Sequence, residues 1–134
     1  MWQTPKTNWT RNDYFNVADW DRIRGNLEYL RDFAVMFFDT FSLAATDAKT
    51  VTDWLYASDL NTLEQNLETI NINVGYLDIG VTKTFTPGGN SIDYIELNRI
   101  EKACVLIYRR LSGFTDTYYF CDNELYADES VGLI

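Results

Sequence analysis

The chain has 134 residues, 46% of them hydrophobic and 16% aromatic, which suits one domain with a modest core and excludes wholesale disorder. Its net charge is −9 at a pI near 4.3. That balance excludes a phosphate-reading nucleic-acid binder and a protein held on an anionic membrane surface, since both need clustered Lys and Arg.

Residues 1–15 (MWQTPKTNWTRNDYF) read as an extended arm, because Pro5 and the Thr/Asn-rich stretch disfavour helix. Trp2 and Trp9 are large rings in a segment too short for a core of its own. Two readings stay open: the arm folds back on the chain's own helices, or it docks on a neighbouring subunit. Asn16 then supplies an N-cap with Asp19 in the first turn. The spacing predicts helix one over 17–41, with an apolar stripe at Trp20, Ile23, Leu27, Leu30, Ala34, Phe37 and Phe41 alternating by 3 and 4. Residues 42–56 read as a loop. Helix two is expected over 57–74 on Leu60, Leu63, Leu67, Ile70, Val74 and Leu77, with a C-cap near Gly75. The alternation before Thr86-Pro87-Gly88-Gly89-Asn90 allows a short hairpin within 80–92. Asp93 with Glu96 marks the start of helix three over 94–111, striped by Leu97, Ile100, Cys104, Ile107 and Leu111. Gly113 reads as its stop, and 114–134 as an extended acidic C-terminal arm.

The three helix openings match one another. Asp19, Asp59 and Glu96 align; so do Asp21, Asn61 and Asn98, and then Ile23, Leu63 and Ile100. The copies lie about 40 residues apart, as supersecondary repeats do. The expectation is a mainly α fold, a three-helix bundle built from a thrice-repeated helix motif over 16–113 between two extended arms. Phe33–Phe38 and Ala103–Tyr108 are each apolar for six consecutive residues, so something must cover their outer faces: the arms or another subunit. Candidate contact residues on these grounds are Trp2, Trp9, Phe33, Phe38, Tyr108, Tyr118, Tyr119, Phe120 and Tyr126.

Charge is unevenly spread. From Thr50 to Thr82 there are five acidic side chains and no basic one, and the Arg residues concentrate in the first and third repeats. Helices one and three are therefore able to pair electrostatically with helix two, against the alternative of solvated surface charge. The chain contains no histidine, which removes the commonest general base and metal ligand. Gly88-Gly89 is a turn and not a phosphate loop. Acidic pairs such as Asp19/Asp21 are better explained by a helix start, and Asp116, Asp122 and Glu124 lack calcium-loop spacing. No catalytic residue, metal site or cofactor is expected. Cys104 reads as a small buried hydrophobe. No signal peptide or membrane span is evident.

Thr4-Pro5-Lys6-Thr7-Asn8-Trp9, Asp13-Tyr14-Phe15-Asn16, Asp19-Trp20-Asp21-Arg22-Ile23 and Asn26-Leu27-Glu28-Tyr29-Leu30 together resemble the opening of small tail, baseplate or fibre-associated proteins encoded by phages and prophages of Gram-positive bacteria. Leu60-Asn61, Leu63-Glu64 and Asn66-Leu67-Glu68 look like the same motif again. The resemblance covers most of residues 4–73. It implies a structural component of the virion, assembled in the bacterial host cytoplasm, whose partners are other copies of itself and other virion proteins. It offers no catalytic residues to carry over. Two alternatives belong to other classes: an interaction protein outside the particle, such as an assembly chaperone or a host-protein inhibitor, and a ligand-binding regulator or enzyme.

Overall fold

The computed structural model describes residues 1–50, 55–89 and 92–127, with side chains through residue 115. Three helices pack against one another, and no strand forms among the described residues. They are α1 (Val17–Ala34), α2 (Ala57–Val74) and α3 (Tyr94–Ala127).

Each helix starts where a carboxylate or amide satisfies free backbone N–H groups. Asn16 Oδ1 accepts from the Asp19 amide at 3.0 Å while Asp19 Oδ2 accepts from the Asn16 amide at 3.0 Å, a reciprocal capping box. Asp59 accepts from the Tyr56 amide at 2.8 Å, and Asp93 accepts from the Glu96 amide at 2.9 Å. At the far end of α2, Gly75 takes φ +108 and its N–H reaches back to the Asn71 carbonyl, a left-handed cap that a side chain would strain. Arg110 of α3 closes the same end, its Nε donating to the Val74 carbonyl at 2.9 Å.

The predicted stripes form the core. Trp20, Ile23, Leu27, Leu30 and Ala34 of α1, Leu60, Leu63, Leu67, Ile70 and Val74 of α2, and Leu97, Ile100, Cys104, Ile107 and Leu111 of α3 are all buried. Burying these faces against one another is the main favourable term of the fold.

Three expectations are corrected. First, α1 ends at Ala34 and not near 41. The chain leaves it through a turn in which the Phe37 and Phe38 amides both donate to the Ala34 carbonyl at 3.0 Å. Phe37 and Phe41 still pack on the core, but from that turn and the chain after it. Second, no hairpin forms within the described part of 80–92. Phe85 is buried and its backbone pairs with a side chain of α2 (below), leaving no partner strand. Third, 114–127 is helix and not an extended arm, because α3 runs through Gly113. Gly113 costs about 1 kcal/mol of helix propensity. Phe114 holds that turn in place by packing on Phe37 and Phe38 at centroid distances of 5.9 and 5.5 Å. Residues 128–134, the end of the expected arm, lie outside the described residues. With 34 residues against 18 in each of the other two, α3 spans about 51 Å to their 27 Å.

Candidate assembly surface

The described parts of the segments before each helix form neither helix nor strand, and asparagines on the helices hold them. Five asparagine side chains each grip one backbone residue twice, the amide oxygen accepting its N–H and the amide nitrogen donating to its carbonyl. Asn26 grips Gln3, Asn98 grips Trp9, Asn66 grips Ala44, Asn61 grips Phe85 and Asn71 grips Leu77, all at 2.6–3.0 Å. A segment outside helix and strand has few backbone partners of its own, so these clamps supply what a strand partner would otherwise supply. The N-terminal segment is thereby tied at Gln3 to α1 and at Trp9 to α3.

Beside Trp9 lies the most connected polar group among the described residues. Glu101 is 1% exposed. Its carboxylate accepts from the Lys6 amide at 3.0 Å, from Trp9 Nε1, and from Arg22 Nε and Nη2 at 2.8 and 2.7 Å. The two-pronged Arg22 contact is the fork geometry that suits a carboxylate. Arg22 also reaches Asp19 at 2.8 Å. Hydrogen bonding to Glu101 raises the Arg22 pKa above its ordinary value, so the guanidinium stays charged. Across the α2–α3 contact Arg99 pairs with Glu64, and within α3 it pairs with Glu96 at 2.8 Å. Burial raises the Glu64 carboxyl above its usual range, more than the opposing Arg99 lowers it. Helix three therefore pairs with helix two as expected from the charge pattern. Helix one pairs instead with helix three.

The expected contact residues fall into three groups. Trp9 is 3% exposed and belongs to this chain's own core, with Lys6 Nζ over its ring at 4.2 Å. It is therefore withdrawn as a surface anchor. Trp2, Phe33, Phe38 and Tyr108 are half-buried. Trp2 stacks on Tyr108 at 4.2 Å and 14°, and Tyr29 and Phe33 close round the same ring. The N-terminal segment thus covers Tyr108 of the second apolar run within one chain, while Leu106 of that run and Met36 of the first stay exposed. Tyr118, Tyr119, Phe120 and Tyr126 lie on α3 beyond the described side chains.

The outer surface carries what the sequence reading missed. Each helix forms an open groove with a neighbouring non-helical segment. The α1 groove, about 430 Å³, holds Arg24, Glu28, Arg31 and Asp32, which pair among themselves at 3.3 and 2.8 Å. The α2 groove, about 280 Å³, holds Glu68, Ile72, Tyr76, Asp78 and Val81. The α3 groove, about 670 Å³, holds Trp2, Pro5, Lys102, Leu106 and Arg109. The first is neutralised internally, the second is acidic and the third is basic. Marking the exposed charges on the helical stripes would have shown this split.

No group of three or more potential metal ligands occurs among the described residues, and none of their helices is long and apolar enough to cross a membrane. Cys104 is buried, which pushes its thiol up to about 12. No family model, curated protein or solved structure matches the chain.

Proposed function

We propose that this chain is a structural component of a phage particle, a tail, baseplate, fibre-attachment or surface protein that works through protein–protein contacts and not through chemistry. The observation that carries this reading is the placement of the polar groups. The buried ones hold the non-helical segments and the helices in one arrangement, while the outer faces present opposite charges beside exposed apolar side chains. A scaffold with such faces is suited to repeated contacts in an assembly. The resemblance of residues 4–73 to phage tail-associated proteins supports the same reading.

The unit of this scaffold is a thrice-repeated helix with its preceding segment. Asn26 and Asn66, which align, each grip the segment leading into their own helix. Asn61 and Asn98, which align, each grip a segment leading into another helix. Arg22 and Arg99 precede the aligned Ile23 and Ile100, Glu64 and Glu101 follow the aligned Leu63 and Ile100, and the ion pairs join these same positions: Arg22 to Glu101 and Arg99 to Glu64.

The test is quantitative mass spectrometry of purified particles from the source phage, scaled to the major capsid protein. Incorporation in a defined copy number is expected. Absence from particles, with the protein instead in a soluble one-to-one complex, contradicts this reading and favours an assembly chaperone or host-protein inhibitor.

A further inference from the structure

We infer that copies of this chain associate head to tail, the basic α3 groove of one copy seating on the acidic α2 face of the next. The inference deepens the assembly reading above and rests on it.

The α3 groove is rimmed by Lys102 and Arg109, with Leu106 between them at helical spacing and 40% exposed; no Asp or Glu lines it. The α2 face has Glu68 and Asp78 flanking Ile72, which is 46% exposed, with Tyr76 and Val81 more exposed still; no Lys or Arg lines it. Each face therefore places apolar side chains between charges of one sign, and the signs are opposite. None of Lys102, Arg109, Glu68 and Asp78 has an ion-pair partner among the described residues. Among the described residues Glu68 accepts from Thr82 Oγ1, at 3.2 Å, and Asp78 from the Gly80 amide, at 3.3 Å.

This contrasts with α1, whose exposed charges neutralise one another along the same helix. Two α3 faces brought together would oppose like charges, and so would two α2 faces. A self-complementary two-fold contact through either face alone is therefore disfavoured, whereas α3 on α2 matches both charge and apolar area. A contact between two different patches repeats indefinitely, and it closes into a ring when the rotation permits.

The experiment is sedimentation of the full chain over a concentration series at low and high salt. It compares wild type with a basic-face variant (Lys102→Glu with Arg109→Glu) and an acidic-face variant (Glu68→Lys with Asp78→Lys). All four positions are exposed, so circular dichroism should show unchanged helix content. Wild type is expected to grow in mass with concentration and to shrink with salt. Each variant alone should sediment as a monomer, and mixing the two should restore association. Wild type that stays monomeric throughout overturns the inference, as do variants that associate like wild type or fail to rescue one another. A monomeric wild type that is still incorporated into particles would sink this contact alone. Absence from particles would sink the broader reading.

Discussion

The three helix–helix contacts of this small bundle are not equally furnished. Between α1 and α3, Arg22 and Glu101 meet through two hydrogen bonds, and the N-terminal segment adds the Lys6 amide and the Trp9 indole. Between α2 and α3, Arg99 and Glu64 meet and the Lys83 backbone also acts on the Glu64 carboxylate, but Arg99 Nη1 is buried without a partner. Between α1 and α2 no ion pair crosses among the described residues, and Arg24 Nε and Asp21 Oδ1 are buried without partners. Arg24 aligns with Glu64 and Glu101, and Thr62 aligns with Arg22 and Arg99. In the repeat we propose, the third contact therefore has a base where the others have an acid and a hydroxyl where they have an arginine. One apolar stripe can be copied three times and still pack, because hydrophobic contact is not directional. A polar pair fails as soon as one member changes.

Glu101→Ala should break the best-furnished contact. It strands Arg22, Trp9 Nε1 and the Lys6 amide at once, and removing one member of a buried pair costs about 3–5 kcal/mol. Urea unfolding measures it, and a loss below about 1 kcal/mol would mean that the α1–α3 contact is no stronger than a surface pair. Next in size is Asn98→Ala, which leaves the Trp9 N–H and carbonyl without their partners. A cost of about 1–3 kcal/mol is expected. Hydrogen exchange at the Trp9 amide should rise far more than exchange in the middle of α2.

The α2–α3 contact differs from the α1–α3 contact in its pH response. The folded-state pKa of Glu64 lies above its ordinary value, because burial outweighs Arg99. A raised folded pKa means that the Glu64 contribution is fully present below the unfolded carboxyl value and is lost as pH rises through the folded one. The stability of wild type minus that of Glu64→Gln should therefore fall as pH rises above the ordinary Glu value of about 4.3. A flat difference would show that Arg99 fully compensates burial. The smallest expected effect is a gain. Asp21 aligns with Asn61 and Asn98 but lacks their amide donor, so Asp21→Asn relieves a buried carboxylate oxygen and restores a possible clamp. An increase of about 0.5–1.5 kcal/mol is expected in the same unfolding assay.

What was legible in the sequence follows from the same contrast. Helix starts at Asn16 and Asp93, the Gly75 cap and all three apolar stripes could be read, because each depends on neighbours within one turn or on a fixed period. Where a stripe outlasts its helix the reading overran, as at Phe37 and Phe41, whose rings reach the core from beyond the end of α1. Gly113 misled in the opposite direction, since the stabilising contact of Phe114 with Phe37 and Phe38 comes from residues far away in sequence. The asparagine clamps and the Glu101 cluster were also hidden. A polar residue within a helix looks solvated until the segment it grips is known, and Gln3, Trp9, Ala44 and Phe85 lie 22–89 residues from their asparagines. The alignment of Asn61 with Asn98, and of Arg22 with Arg99, was the available signal. Taken alone it marks helix starts, and the tertiary contacts it also marks show only in the fold. The split between an acidic α2 and a basic α3 was visible as composition, but which charges remain unpaired needed the fold.

The most direct test of unequal contacts is a pair of double-mutant cycles measured by denaturant unfolding, one on Arg22 and Glu101 and one on Arg24 and Thr62, each to alanine. The account predicts a coupling of about 1.5–3 kcal/mol for the first pair and a value within about 0.5 kcal/mol of zero for the second. Equal couplings at the two contacts would contradict it.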